Sequence, residues 1–113
     1  MAAPKHNLTI DQGSDFVFDL VVSESGVIKD LSGYSARSQI RPKRASSTLT
    51  ASFTCEVLTP TVNGVVKMTL PNATSSAMEA GLYYYDLEIY TSGDAIVKRI
   101  LQGEITLTQE VTR

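Results

Sequence analysis

Apolar and polar residues alternate with a period of two through almost every segment of this chain, and turn-forming residues interrupt the pattern about every ten positions. A strand turns successive side chains to opposite faces, so the pattern specifies half-buried strands and leaves little room for helix. In "DFVFDLVVS" (15–23), Phe16, Phe18, Leu20 and Val22 share one face, expected to point inward, while Asp15, Val17, Asp19 and Val21 share the other. "SESG" (23–26) reads as a turn, and "KDLSGY" (29–34) leads through Leu31 and Gly33 into a strand with Tyr34, Ala36, Ser38 and Ile40 packed against the core. Pro42 ends that strand or marks an edge.

"KRASST" (43–48) is a polar connection, and "LTASFTCEVLT" (49–59) places Phe53, Cys55 and Val57 inward. The Asn-Gly pair of "PTVNG" predicts a hairpin to "VVKMTL" (65–70), with Val66, Met68 and Leu70 in the core. "PNATSSAMEA" (71–80) is the one helical candidate, a single turn capped by Asn72 or Thr74, with Ala77, Met78 and Ala80 over the end of the core. "AIVKRILQGEITLTQEV" is one bent strand or two, with Gly103 at the bulge or bend. Seven or eight mostly antiparallel strands are expected, in one all-β domain over residues 1–113.

A chain of 113 residues is long enough for one core, and 42% hydrophobic with 19% charged residues is the composition of a globular protein. The net charge of −2 provides no global attraction to nucleic acid or to an anionic membrane. Cys55 is the only cysteine, so no intrachain disulfide and no zinc site built on cysteine pairs is available. "MAAPKHNLTIDQG" lacks a secretory apolar stretch, which predicts folding in a reducing cytoplasm and makes the sequons at Asn7 and Asn72 chance matches.

Acid–base catalysis needs two groups held at a fixed separation, and the single histidine, His6, lies near a terminus expected to be mobile. No nucleophilic triad, phosphate-cradling glycine loop or calcium-loop spacing is present, so a non-enzymatic protein without cofactor or metal is expected. Cys55, between Phe53 and Val57 on one face, reads as a small buried hydrophobe. "RSQIRPKR" (37–44) concentrates Arg37, Arg41, Lys43 and Arg44, which suit a solvated face, a protein interface or a nucleic-acid contact. Cross-strand pairing with Asp86 and Glu88 would account for the arginines without a ligand.

"GLYYYDLEIY" (81–90) divides by parity: Tyr83, Tyr85, Leu87 and Ile89 face the core, while Leu82, Tyr84, Asp86, Glu88 and Tyr90 face outward. Tyr84 and Tyr90 are therefore the aromatic residues available to a partner or, alternatively, to a glycan.

Glu79, Gly81 and Tyr83 in "EAGLYYYDLEI" form an acid-x-Gly-x-Tyr pattern that resembles the tyrosine corner of immunoglobulin-like sandwiches. The resemblance implies that the Tyr83 hydroxyl bonds back to the corner and that Tyr85 stands where antibody domains carry their second cysteine. The succession "LTIDQGSDFVFDLVV", "DLSGYSARSQIRPK", "GVVKMTLPNATSSAMEAGLYYYDLEI" and "GEITLTQEVTR" is similar to small immunoglobulin-like virion modules of tailed bacteriophages. Such segments occur in the N-terminal domain of upper baseplate proteins and in stand-alone proteins that decorate tail, adaptor or neck. The resemblance implies a structural protein of the virion, assembled in the host bacterial cytoplasm, that docks onto other virion proteins in symmetric copies. Arg37, Arg41, Lys43, Arg44, Tyr84 and Tyr90 are its candidate interface residues, and "KHNLTIDQ" and "ITLTQEV" its candidate sheet edges. The rival readings are a glycan-binding or host-attachment module using Tyr84 and Tyr90, and a nucleic-acid contact through residues 37–44.

Overall fold

A computed structural model of the chain describes residues 4–43 and 50–111. Its strands are β1 (Leu8–Asp11), β2 (Phe16–Val21), β3 (Ser23–Glu24), β4 (Val27–Ile28), β5 (Ser35–Arg41), β6 (Ala51–Val57), β7 (Val65–Leu70), β8 (Gly81–Tyr90) and β9 (Val97–Thr108). One six-residue helix, α1 (Asn72–Ala77), joins β7 to β8. Seven strands are hydrogen-bonded in the order β1-β9-β8-β5-β6-β7-β2, and β3 and β4 form a separate small hairpin.

The seven strands fold into two layers because β6 serves both. Its first half pairs with β5, as Phe53 with Ser38, and its second half with β7, as Cys55 with Met68. Rings then meet between the layers: Phe53 lies 6.1 Å from Phe16 and, edge-on, 6.1 Å from Tyr85. The result is an all-β sandwich of immunoglobulin-like strand order, with β1 running parallel to β9 and the other neighbour pairs of the seven strands antiparallel.

Parity holds along β7 and β8 and along β9 from Leu101 onward. Val66, Met68 and Leu70 of β7 and Leu87 and Ile89 of β8 are fully buried, each worth about 1.5–3 kcal/mol of apolar burial. The Tyr83 hydroxyl donates to the Glu79 carbonyl at 2.5 Å, closing the tyrosine corner. Burial pushes the Tyr85 phenol up to about 12, and its hydroxyl donates to the His6 carbonyl at 2.6 Å. Cys55 is half-buried, its thiol pushed up by desolvation to about 11.

Several local expectations need correction. The hairpin expected at the Asn-Gly pair forms, with β7 antiparallel to β6, but not through a two-residue turn: Thr61–Asn63 make a 3₁₀ turn, and Gly64 closes it in the left-handed region (φ 65°). A Cβ at Gly64 would stand 2.6 Å from the Lys29 carbonyl oxygen, so glycine is required there for close approach as well as for its φ. The two-residue turn falls at Ser25 and Gly26, both at positive φ, between β3 and β4. Helix α1 is capped from outside: Asp15 accepts from the Asn72 backbone N–H at 2.7 Å. Ser75 and Met78, rather than Ala77 and Ala80, are the residues that it and its end bury.

The bulge of β9 lies at Ile100, where the register shifts opposite Leu87 and Glu88, and Gly103 has another task. The His6 carbonyl oxygen lies 2.1 Å from where a Gly103 Cβ would be. This gap lets the chain before β1 lie on β9, with the His6 N–H donating to the Gln102 carbonyl at 2.8 Å. The Asn7 side chain then accepts from the Glu104 N–H at 3.1 Å, and the His6 ring stacks on Phe18 at 5.2 Å. His6, expected near a mobile terminus, is thus contacted on two sides, by β9 through its main chain and by Phe18 through its ring. "ITLTQEV" is not an edge either, since this part of β9 pairs with both β1 and β8.

Candidate interaction face

The outward faces of β5, β8 and β9 form one surface because these three strands are neighbours and antiparallel. Register sets its contacts: Arg37 stands opposite Glu88, Gln39 opposite Asp86, and Arg41 opposite Tyr84. On the far side of β8, Glu104 is opposite Tyr84, Gln102 opposite Asp86, and Arg99 opposite Glu88. Between them lies an open groove of about 480 Å³ whose walls include Arg37, Gln39, Arg41, Tyr84, Asp86 and Arg99.

Arg37 is the organising residue. Its Nε donates to Glu88 at 2.9 Å, a terminal nitrogen lies 3.4 Å from Asp94, and its guanidinium carbon sits 4.4 Å from the centre of the Tyr90 ring. The hydrogen bond to Glu88 raises its already high pKa further, so the charge is permanent. Arg99 pairs with Asp86 at 3.2 Å. Asp86 nevertheless has a raised pKa: desolvation in the groove outweighs the opposing arginine, and Glu88 adds repulsion. Arg41 donates to Gln39 at 2.7 Å. Beneath the groove, buried Ser38 donates to the Asp86 carbonyl, so no polar side chain is left unsatisfied at this part of its floor.

Four of the six nominated residues are therefore brought together: Arg37 and Arg41 from β5, Tyr84 and Tyr90 from β8. Lys43 lies exposed past Pro42, beyond the end of β5 and outside the groove walls. Arg44 falls outside the described residues. Asp86 and Glu88 act as the cross-strand partners anticipated for the arginines, Glu88 with Arg37 and Asp86 with Arg99. Arg99, Gln102 and Asp94 were missed. The Ile100 bulge shifts the parity of β9, which hides Arg99 from any simple alternation count: it shares odd parity with buried Leu101, Ile105 and Leu107 yet faces outward.

With three arginines set among carboxylates, the face is of mixed charge and its cations are engaged. Among the described residues no cluster of histidine, cysteine and acidic side chains is arranged to hold a metal ion. No helix of the described chain is long and apolar enough to cross a membrane.

No protein-family model and no curated protein matches the chain. Solved structures do. InlP of Listeria monocytogenes aligns over 94% of this chain and 28% of its own, with TM-score 0.50 and 13% identity. A nucleoside hydrolase-related protein of Saccharophagus degradans associated with carbohydrate metabolism aligns over 90% and 22%, with TM-score 0.37 and 14% identity. A family 123 glycoside hydrolase of Clostridium perfringens aligns over 96% and 24%, with TM-score 0.40 and 10% identity. The chain spans less than a third of each of these proteins, and at 13% identity the likeness to InlP is one of fold.

Proposed function

We propose that this chain is a non-enzymatic structural component of a tailed bacteriophage virion, docking onto other virion proteins in symmetric copies. The observation that carries the reading is the prearranged face of β5, β8 and β9. Arg37 and Tyr90 are held against each other and against Glu88 and Asp94, so little side-chain freedom is lost when a protein surface covers them. Arginine and tyrosine are also the residues most enriched where protein interfaces concentrate their binding energy. The order of segments shared with phage virion modules supports the same reading.

The rivals draw less support from this geometry. A stacking platform for sugars needs an open ring face, and one face of Tyr90 carries the Arg37 guanidinium. A phosphate site needs arginines not already committed to carboxylates, and Arg37 and Arg99 are both ion-paired.

The test is mass spectrometry of purified particles separated into heads and tails. The protein is expected in stoichiometric amount in one fraction, and Arg37→Glu with Tyr90→Ala should remove it from the particle while leaving the isolated domain folded. Absence of the unaltered protein from both fractions would overturn the proposal.

A further inference from the structure

The two layers are joined on one side by β6, but on the other they end in two separate strands, β1 and β2. These two ends differ. The inward residues of β1, Leu8 and Ile10, are buried, whereas all three inward residues of β2, Phe16, Phe18 and Leu20, are only half-buried. On the neighbouring β7 the corresponding row is fully buried. The apolar row of β2 is therefore incompletely covered, and among the described residues no strand pairs with its outer edge.

The ladder fixes what that edge offers. The Val22 N–H donates to the Gly64 carbonyl at 2.7 Å, in the same register that pairs Leu20 with Val66 and Phe18 with Met68. Hydrogen-bonded pairs alternate in an antiparallel ladder, so the N–H and C=O groups of Val17, Asp19 and Val21 point to the free edge. Val17 and Val21 are 55% and 53% exposed, and Asp19 between them is the only charge on this face of the strand. A long, uncovered edge of this kind is a template for another strand.

We infer that the free edge of β2 takes up an extended segment of a partner protein as an added strand, one with apolar side chains around a lysine or arginine opposite Asp19. The strand that β2 already pairs with follows this chemistry: β7 sets Lys67 opposite Asp19, Val65 opposite Val21, and Val66 and Leu70 inward. The His6 ring over Phe18 adds a restriction, that the inward residue opposite Phe18 be small. A second copy of this chain fits less well. The two-fold pairing that uses all three edge residues sets Asp19 opposite Asp19, and like charges directly opposite are destabilising. The choice of a protein segment as occupant rests on the assembly reading above.

The probe is the synthetic peptide Ac-SVLKAVLS-NH2, titrated into the full chain with amide shifts and hydrogen exchange read by NMR. Saturable binding is expected, with slowed exchange at Val17, Asp19 and Val21. Replacing the peptide lysine by glutamate should weaken binding about tenfold, and Asp19→Lys should restore the glutamate peptide. Absence of binding, binding insensitive to the charge exchange, or shifts confined to the β5–β8–β9 face would each overturn the inference. So would concentration-dependent protection of β2 without peptide, which would identify a second copy as the occupant. Presence in separated particles tests the assembly reading by itself, so the two can fail independently.

Discussion

Strands β8 and β2 carry the same alternating code and end up in opposite circumstances. On β8, flanked by β5 and β9, the inward residues Tyr83 to Ile89 are all buried, and the outward ones are held in cross-strand pairs. On β2, flanked only by β7, the inward phenylalanines are half-buried and the outward valines lie open. Periodicity therefore determines which way a side chain points, and strand order determines how completely it is covered. The central strand serves as scaffold for a face, while the terminal strand exposes its own main chain.

Truncation should break this comparison most sharply. Leu87→Ala, at a site with no exposure, is expected to cost about 3–4 kcal/mol in urea unfolding, whereas Leu20→Ala on half-buried β2 should cost about 1–1.5 kcal/mol. Equal losses would mean that β2 is as fully packed as β8 in solution.

The thiol of Cys55 probes the same difference, because Cys55, Met68 and Phe18 lie in one inward row across β6, β7 and β2. Its pKa is pushed up to about 11 from 9.0 by desolvation, so at pH 8 alkylation by iodoacetamide should run about 100-fold slower than for a free thiol. The linked effect on stability has a definite sign. The unfolded thiol ionises near 9.0 while the folded one stays protonated to about 11, so its contribution is complete below pH 9 and is lost as pH rises through 11. Leu20→Ala should speed alkylation by loosening the β2 side, and Leu82→Ala, on the outward face of β8, should not.

Gly103→Ala comes next in size. The new methyl would displace the His6 carbonyl, lying 2.1 Å from it, and with it the Tyr85 hydrogen bond. A loss of about 1–2 kcal/mol is expected, with faster amide exchange at His6 and at Gln102, which pairs with the segment before β1, and unchanged exchange in β7.

Much of this was legible in advance, for a physical reason. Facing direction is a local property, and Phe53, Val66, Met68, Tyr83 and Leu87 fall where alternation puts them. The tyrosine corner was legible too, because it is built within five consecutive residues, Glu79 to Tyr83. Long-range placement was not. Nothing local to "QGE" reveals that Gly103 makes room for a carbonyl at the other end of the chain, and nothing in "VKRIL" reveals that Ile100 is the unpaired residue. Of the nominated face, Arg37, Arg41, Tyr84 and Tyr90 followed from strand parity, whereas Arg99 and Asp94 needed the register of β9 and the path of the turn before it.

The smallest effect is expected on the outward face of β8, where the comparison with its inward face is most direct. The Arg37 and Glu88 side chains are 41% and 26% exposed, so water screens their attraction and the pair should contribute little to stability. Tyr90 adds a guanidinium–ring contact at an exposed site, where such contacts are weak. Arg37→Ala removes both contacts but also frees Glu88 and Asp94 to be hydrated, so unfolding free energy should fall only slightly at low salt and by less at high salt, the smallest loss of the variants above. Tyr83→Ala, on the opposite face of the same strand, should cost about 3–5 kcal/mol irrespective of salt. If Arg37→Ala matched it, the face would be a cornerstone of the fold, and its side chains would not be available for docking without unfolding the strand that bears them.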